Sequence, residues 1–259
     1  MSATTDQVLD FWNQRAGLGE WAGTNDILAK RLEMETLAGF VTDGLRIVDV
    51  GCGNGIMAME LARRFDVDVT GIDFSPEMIG AAQKLSAGQA FRGRVRFQVG
   101  RIPGVEGMAP CDIAYTERTI INLRTWPEQE QAIREIGTLV KPGGMFLMCE
   151  NSQNGLDELN DLRERVALPR IQPPWHNRYL IDDELAGGDF GVLTLERVVY
   201  YSSTYYLFSR IVNAFLAAER GESPQYDSPI NQLALKLPAI GQLGQGRLWI
   251  WRRTREARA

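Results

Sequence analysis

The chain has 259 residues, 44% of them hydrophobic and 24% charged, and a formal net charge of -5. That suits one domain with a sizeable core and argues against a general nucleic-acid binder. Three widely separated cysteines, Cys52, Cys111 and Cys149, fit neither a disulfide framework nor metal-ligand spacing.

Met1 to Asp10 has no basic region leading into an apolar core, so no signal peptide is expected. No apolar run approaches the roughly 18 residues of a membrane span. The expected compartment is the cytoplasm.

Residues 5–16 read as a helix with Val8, Leu9, Phe11 and Trp12 on one face. The glycine-rich stretch 17–26 breaks it, and Asn25 or Asp26 caps a second helix bearing Ile27, Leu28, Leu32, Leu37 and Phe40. The stretch between them reads two ways. It is a lid that brings Trp21 and Thr24 over a pocket, or a surface loop tacked down by Trp21.

Strands and helices alternate from 45 to 150. The strands are Leu45–Val50, Val67–Ile72, Arg94–Val99, Asp112–Thr116 and Met145–Cys149. Ser75-Pro76-Glu77 opens a helix with favourable residues at the cap and first position. The helix over Trp126–Val140 stops at Lys141-Pro142-Gly143-Gly144. This alternation predicts right-handed βαβ crossovers and a parallel sheet.

The rest is less regular. A charged helix is expected over Leu156–Ala167, then a loop over Pro169–Leu180 holding the one histidine, His176. A strand over Val192–Tyr200, a helix over Ser203–Arg220, a loop over 221–238 and a last strand over Gln245–Trp251 follow. Arg252, Arg253, Arg255 and Arg258 read as a solvated basic tail.

The first strand runs into Asp49-Val50-Gly51-Cys52-Gly53-Asn54-Gly55 and then a helix. Glycines there permit a tight turn and let a ligand approach the backbone. Asp73 ends the second strand about twenty residues later, where a carboxylate can accept both hydroxyls of an adenosine ribose. A dinucleotide fingerprint needs G-x-G-x-x-G, but Ile56 stands where its third glycine belongs. Asp49 disfavours a pyrophosphate and tolerates an amino-acid ammonium.

Asp49 to Gly55, Asp73, and Leu139 to Gly144 together resemble a class I S-adenosylmethionine-dependent methyltransferase over roughly residues 45–150. The resemblance implies an α/β, Rossmann-like, doubly wound seven-stranded sheet, mostly parallel, with an antiparallel last strand. Within a single domain, residues 1–43 would form helices and a lid. Residues 44–150 would bind cofactor, and 151–259 would form the acceptor side, with a helical insertion before the last strand.

It also implies roles. Gly51 and Gly53, with Cys52 between them, would pass under the methionine part, and Asp73 would bind the ribose. Phe74 and Met78 would flank adenine. Glu117 would lie near the sulfonium, and Asn122 would face the methyl group. Relatives carry an acid after the third strand, where this chain has Arg101-Ile102. Adenine is therefore expected on the backbone of these two residues, or stacked on the guanidinium.

Methyl transfer needs a nucleophile held in line, and a base where the acceptor is a weakly acidic hydroxyl. His176 is the candidate base, with a structural histidine as the alternative reading. Glu117 is a rival, or else the ion-pair partner of Arg118. Trp175, Tyr179, Tyr201, Tyr205 and Tyr206 offer faces and hydroxyls, and Arg118, Arg170 and Arg178 offer anion sites. These suit a small-molecule acceptor rather than nucleic acid or membrane. Oxygen is the expected acceptor atom. Nitrogen, or a catalytically silent cofactor-binding subunit, is the alternative. The sequence leaves monomer and homodimer open.

Overall fold

The computed structural model describes residues 5–105 and 108–254. Seven strands form one sheet: β1 (Arg46–Val50), β2 (Asp68–Asp73), β3 (Arg94–Val99), β4 (Cys111–Glu117), β5 (Val140–Asn151), β6 (Leu193–Val199) and β7 (Gly246–Arg253). Their order is β3-β2-β1-β4-β5-β7-β6. Only β7 is antiparallel to its neighbours β5 and β6. The strand order reverses between β1 and β4, so the loops after these two strands diverge and open a crevice at their carboxyl ends.

Both sheet faces are covered, which is why β1, β2 and β4 read as nearly continuous apolar runs. One core packs Val48, Val50 and Phe146 against Ile133 and Ile136 of α5 (Trp126–Leu139). The other packs Ile47, Val69 and Leu147 against Leu37 of α2 (Ile27–Ala38) and Met57 and Leu61 of α3 (Ile56–Arg64). Thr125 and Glu128 form a reciprocal capping box at the start of α5. Ser75 caps α4 (Pro76–Ser86), with Pro76 at its first position.

The N-terminal part is α1 (Thr5–Arg15), a tight 3₁₀ turn over Ala16–Trp21, and α2. Asp26 caps α2 by accepting from Ala29 N at 3.0 Å.

After β5 come α6 (Gln153–Arg165) and α7 (Asp182–Gly187). After β6 comes an insertion of α8 (Ser203–Tyr206), a π-helical stretch Leu207–Val212, α9 (Asn213–Glu219) and α10 (Pro229–Ala234). A small core of Leu159, Tyr205, Ile211 and Ala234 seats this insertion against Ala29 of α2.

The structure corrects three local expectations. Lys141–Gly144 ends the helix but belongs to β5, whose register with β4 shifts between Cys111 and Ile113 to absorb it. Two six-residue helices, α7 and α10, occupy stretches with too few residues for a helical period to show. Arg252 and Arg253 are not tail residues. They lie in β7, where Arg252 pairs with Glu196 and Arg253 donates to Val140 O at 2.6 Å. Arg255 and Arg258 lie outside the described residues. No helix among the described residues is long and apolar enough to cross a membrane.

Candidate functional site

A cavity of about 560 Å³ opens at the crevice between β1 and β4. Its first wall is the glycine turn. Gly51 and Cys52 donate to Ile72 O at 2.8 and 2.9 Å, folding the turn back over β2. Gly51 has φ 75°, and a Cβ there would stand 2.2 Å from Thr119 Oγ1. Only glycine fits both constraints.

Asp73 is buried beside the turn. Its Oδ2 accepts from Gly53 N and its Oδ1 from Ser75 N, each at 2.9 Å. Burial raises its pKa, and those two backbone hydrogen bonds oppose the rise. Each oxygen has capacity left to accept a hydrogen bond from a ligand hydroxyl. Phe74, Met78, Arg101 and Ile102 line the cavity next to Asp73.

Asp49, Glu33 and Glu117 bring three carboxyl groups to the cavity wall. Burial pushes Asp49 up to about 8, and its Oδ2 has no partner. Glu33, on α2, is 3% exposed. Its Oε2 lies 3.2 Å from Arg118 Nε, and neither atom finds a well-aligned hydrogen bond. Arg118 also pairs with Glu117 at 3.3 Å and donates to Gly23 O at 2.7 Å. It does so from a left-handed backbone, φ 56°, which a non-glycine residue adopts at a cost.

Glu150 organises the turn that follows β4. Its carboxylate accepts from the backbone of Thr119, Ile120 and Ile121 at 2.9, 3.0 and 3.3 Å. This fixes Arg118 and Asn122 in the cavity wall. Asn122 Oδ1 accepts from Trp12 Nε1 at 3.2 Å.

Asn54 Nδ2 donates to Gly19 O at 2.7 Å and Ser75 Oγ to Asn13 Oδ1 at 2.6 Å, so α1 and the turn after it lie across the cofactor end. Thr24 lines the cavity, whereas Trp21 is 49% exposed and does not.

The far end is built by the insertion. Arg210 reaches in from the π-helical stretch, 4.9 and 4.7 Å from the ring centres of Tyr206 and Tyr226. It pairs with buried Asp26 at 2.8 Å. Tyr179 and Tyr206 line this chamber. Tyr205 does not, because its hydroxyl donates to Asp26 Oδ1 at 2.7 Å beneath the wall. Tyr201 lies behind the wall too, with its hydroxyl 3.4 Å from Glu33 Oε1.

His176 lines the cavity, but it is only 8% exposed and stacks 4.3 Å from the Phe11 ring. Burial, then Arg15 and Arg124, push its pKa down to about 4. Trp175 is 53% exposed and outside the cavity. Arg178 is spent on Gln129 and Glu184, at 2.7 and 2.5 Å. Arg170 pairs with Asp157, Asp161 and Glu164 on the surface.

Glu33, Glu150, Arg210 and Tyr226 belong to no motif in the sequence, and Asp26 reads there only as a helix cap. The one signal for Glu33 was an acid placed among the apolar residues of a helix.

These residues fit S-adenosylmethionine. The unpartnered Asp49 Oδ2 lies in the wall of a cavity where a ligand ammonium would satisfy it. The carboxylate of Asp73 suits ribose hydroxyls, and the glycine turn leaves room at the backbone.

Comparison with known proteins agrees. A family model described as "Methyltransferase domain" matches residues 41–173. The ubiquinone/menaquinone biosynthesis C-methyltransferase of Geotalea daltonii is 33% identical over 116 residues, 41% of this chain and 46% of that protein. The ubiquinone biosynthesis O-methyltransferase of Aeromonas salmonicida is 31% identical over 137 residues, 52% of this chain and 56% of that protein. The chain thus spans about half the length of the curated relatives it matches.

Among solved structures, the TehB-like S-adenosylmethionine-dependent methyltransferase of Corynebacterium glutamicum aligns with TM-score 0.58 and 15% identity over 96% of this chain and 100% of that one. The [4+2]-cyclase SpnF aligns with TM-score 0.59 and 19% identity over 99% and 98%. Both show the fold. The matched segment holds the glycine turn, Asp73 and the Glu117–Asn122 turn, and on this agreement the chain belongs to the methyltransferase-domain family.

Proposed function

We propose that the protein is an S-adenosylmethionine-dependent methyltransferase acting on a small-molecule acceptor, with oxygen as the acceptor atom. The observation that supports this best is the continuity of the cavity. It runs from Asp73 and the glycine turn to Arg210, Tyr206 and Tyr226, beneath the N-terminal elements. A covered chamber of that size admits a metabolite more readily than a polymer.

When bound, the cofactor supplies an electrophilic methyl group on a sulfonium. The chain supplies position and charge. Asp73 and the glycine turn hold the nucleoside, Phe74 and Met78 flank its base, and the Asp49–Glu117 wall receives the positive groups. Arg101 and Ile102 stand where relatives place an acid and offer backbone groups and a guanidinium face to adenine. Tyr179, Tyr206 and Arg210 orient the acceptor. His176 stays neutral at physiological pH and is a weak base, so it serves better as an aromatic wall than as the proton acceptor.

The relatives this chain matches over about half its length are named for carbon, oxygen and nitrogen methylation. Tyr179, Tyr206, Arg210 and Tyr226 at the far end of the cavity are the residues offered for the choice of acceptor.

The test is transfer of isotope-labelled methyl from S-adenosylmethionine across a panel of phenols, sugars and amines, with tRNA and protein as competing acceptors. Label on a small hydroxyl compound is the expected result. Label only on amines would move the acceptor atom to nitrogen. Tight cofactor binding with no transfer to any acceptor would support a silent cofactor-binding subunit instead.

A further inference from the structure

Two amide side chains in the cavity wall have unmet hydrogen-bonding capacity. Asn151 ends β5 and Gln245 precedes β7, and each is 7% exposed. Both line the cavity. The backbone brings them together: Asn151 lies opposite Gly246 in the β5–β7 ladder, and Gln245 O accepts from Ser152 N at 2.8 Å. Asn151 Oδ1 and Gln245 Oε1 each find no partner among the described residues. A buried amide left in this way is costly, and an apolar side chain of similar size would serve packing better.

Their neighbours belong to the acceptor chamber. Asn151 O accepts from Leu180 N at 3.0 Å, which seats Tyr179 beside it, and the Asn151 amide acts on the Tyr179 hydroxyl. Gly244, next to Gln245, packs so closely on Tyr206 that a Cβ there would stand 2.8 Å from its Cδ2. Tyr179 and Tyr206 line the same cavity. The four side chains are two amides and two phenols, with no formal charge. The cations nearby are already engaged. Arg210 pairs with Asp26 and Arg118 with Glu33 and Glu117, while Lys30 lies in the field of Glu33, Asp49 and Glu117. An amide both donates and accepts, as a hydroxyl does, whereas a carboxylate only accepts and an ammonium only donates. A charged group placed here would also lose its water without gaining a free counter-charge.

We propose that Asn151 and Gln245 form a neutral polar subsite that selects an acceptor with more than one hydroxyl, holding one hydroxyl while another receives the methyl group. The proposal rests on the methyltransferase reading above and narrows its acceptor to neutral polyhydroxy compounds. A ligand hydroxyl donates to an amide oxygen and accepts from an amide N–H, so one group meets both capacities. Rotation about the last side-chain torsion presents either end of the amide to the ligand. An acceptor lacking the second hydroxyl leaves the amides unpaired against apolar surface, and that penalty produces the discrimination.

Labelled methyl transfer by the full chain to two matched sets of acceptors tests this. One set is catechol, phenol and 2-hydroxybenzoate; the other is methyl glucoside, cyclohexanol and glucuronate. In the set that is methylated, kcat/KM for the neutral polyhydroxy member should exceed that for the monohydroxy and anionic members by ~10- to 100-fold. Asn151→Leu and Gln245→Leu should each shrink this preference, chiefly by raising KM for the polyhydroxy member. Equal or better use of the monohydroxy or anionic member by the unaltered protein overturns the proposal, whether or not the variants fold. So does a preference that persists in both variants. Transfer to amines alone overturns it and leaves the methyltransferase reading standing. Tight binding of S-adenosylhomocysteine with no transfer to any acceptor overturns both.

Discussion

Asp73 shows how one side chain can serve fold and ligand together. Its two oxygens pin the glycine turn and the start of α4 through backbone N–H groups, and the same carboxylate faces the cavity. Asp73→Ala removes a charged hydrogen-bond acceptor, worth about 1.5–3 kcal/mol. S-adenosylhomocysteine affinity should fall roughly 10- to 100-fold by calorimetry, and an unchanged affinity would remove the ribose assignment. His176 makes a separate point about burial. Its folded-state pKa is depressed to about 4, so its imidazole resonances should titrate well below the ordinary histidine value of 6.5. A midpoint at 6.5 or above, followed by proton NMR, would mean that the ring is solvated rather than packed on Phe11. Asp73 was legible in the sequence because its partners lie in one contiguous motif. Glu33 was not, since the groups that make it unusual, Glu117, Arg118 and Tyr201, come from β4 and from the stretch before α8. Trp175 and Arg178 misled for the opposite reason. They sit beside His176 in the chain, but neighbouring loop residues point in different directions.

At the scale of elements, the alternation of strands and helices from 45 to 150 was readable because each unit is local and its punctuation strong: Ser75-Pro76 before α4 and Lys141-Pro142-Gly143-Gly144 after α5. The acceptor side was less readable, because it is assembled from distant pieces. Asp26 of the lid meets Tyr205 and Arg210 of the insertion across nearly the whole chain. That buried ion pair joins the insertion to the start of α2, beside the apolar contacts with Ala29. Replacing a single partner strands the other as an uncompensated buried charge. Arg210→Met should therefore destabilise the protein by about 3–5 kcal/mol in chemical denaturation. Asp26→Asn combined with Arg210→Met should recover part of the loss, since no charge is then left alone. A loss below about 1 kcal/mol would place the pair among solvated surface bridges and free the insertion from the lid.

Across the whole molecule, burial raises the pKa of acids at the cavity wall and of Glu150 behind it. Burial raises Glu33 and Asp49 to about 8 and Glu150 to about 7, against ordinary values of 4.5, 3.8 and 4.5. Between those limits the folded chain binds more protons than the unfolded one. These groups contribute stability that is full below their unfolded values and is lost as pH rises through 7 to 8. His176 has the opposite sign: its contribution is present above 6.5 and lost as pH falls toward 4. Above 6.5 the histidine is neutral in the folded state and less than half protonated in the unfolded one, so the raised carboxyl groups outweigh it and set the sign of the slope. The melting temperature of the ligand-free protein should fall steadily as pH is raised from about 6.5 to about 8.5. Glu33→Gln should fall less steeply, because the variant has no proton to lose there. A curve for the ligand-free protein that is level or rising over this range would mean that water reaches these carboxyl groups and that the acidic wall is solvated before any ligand arrives.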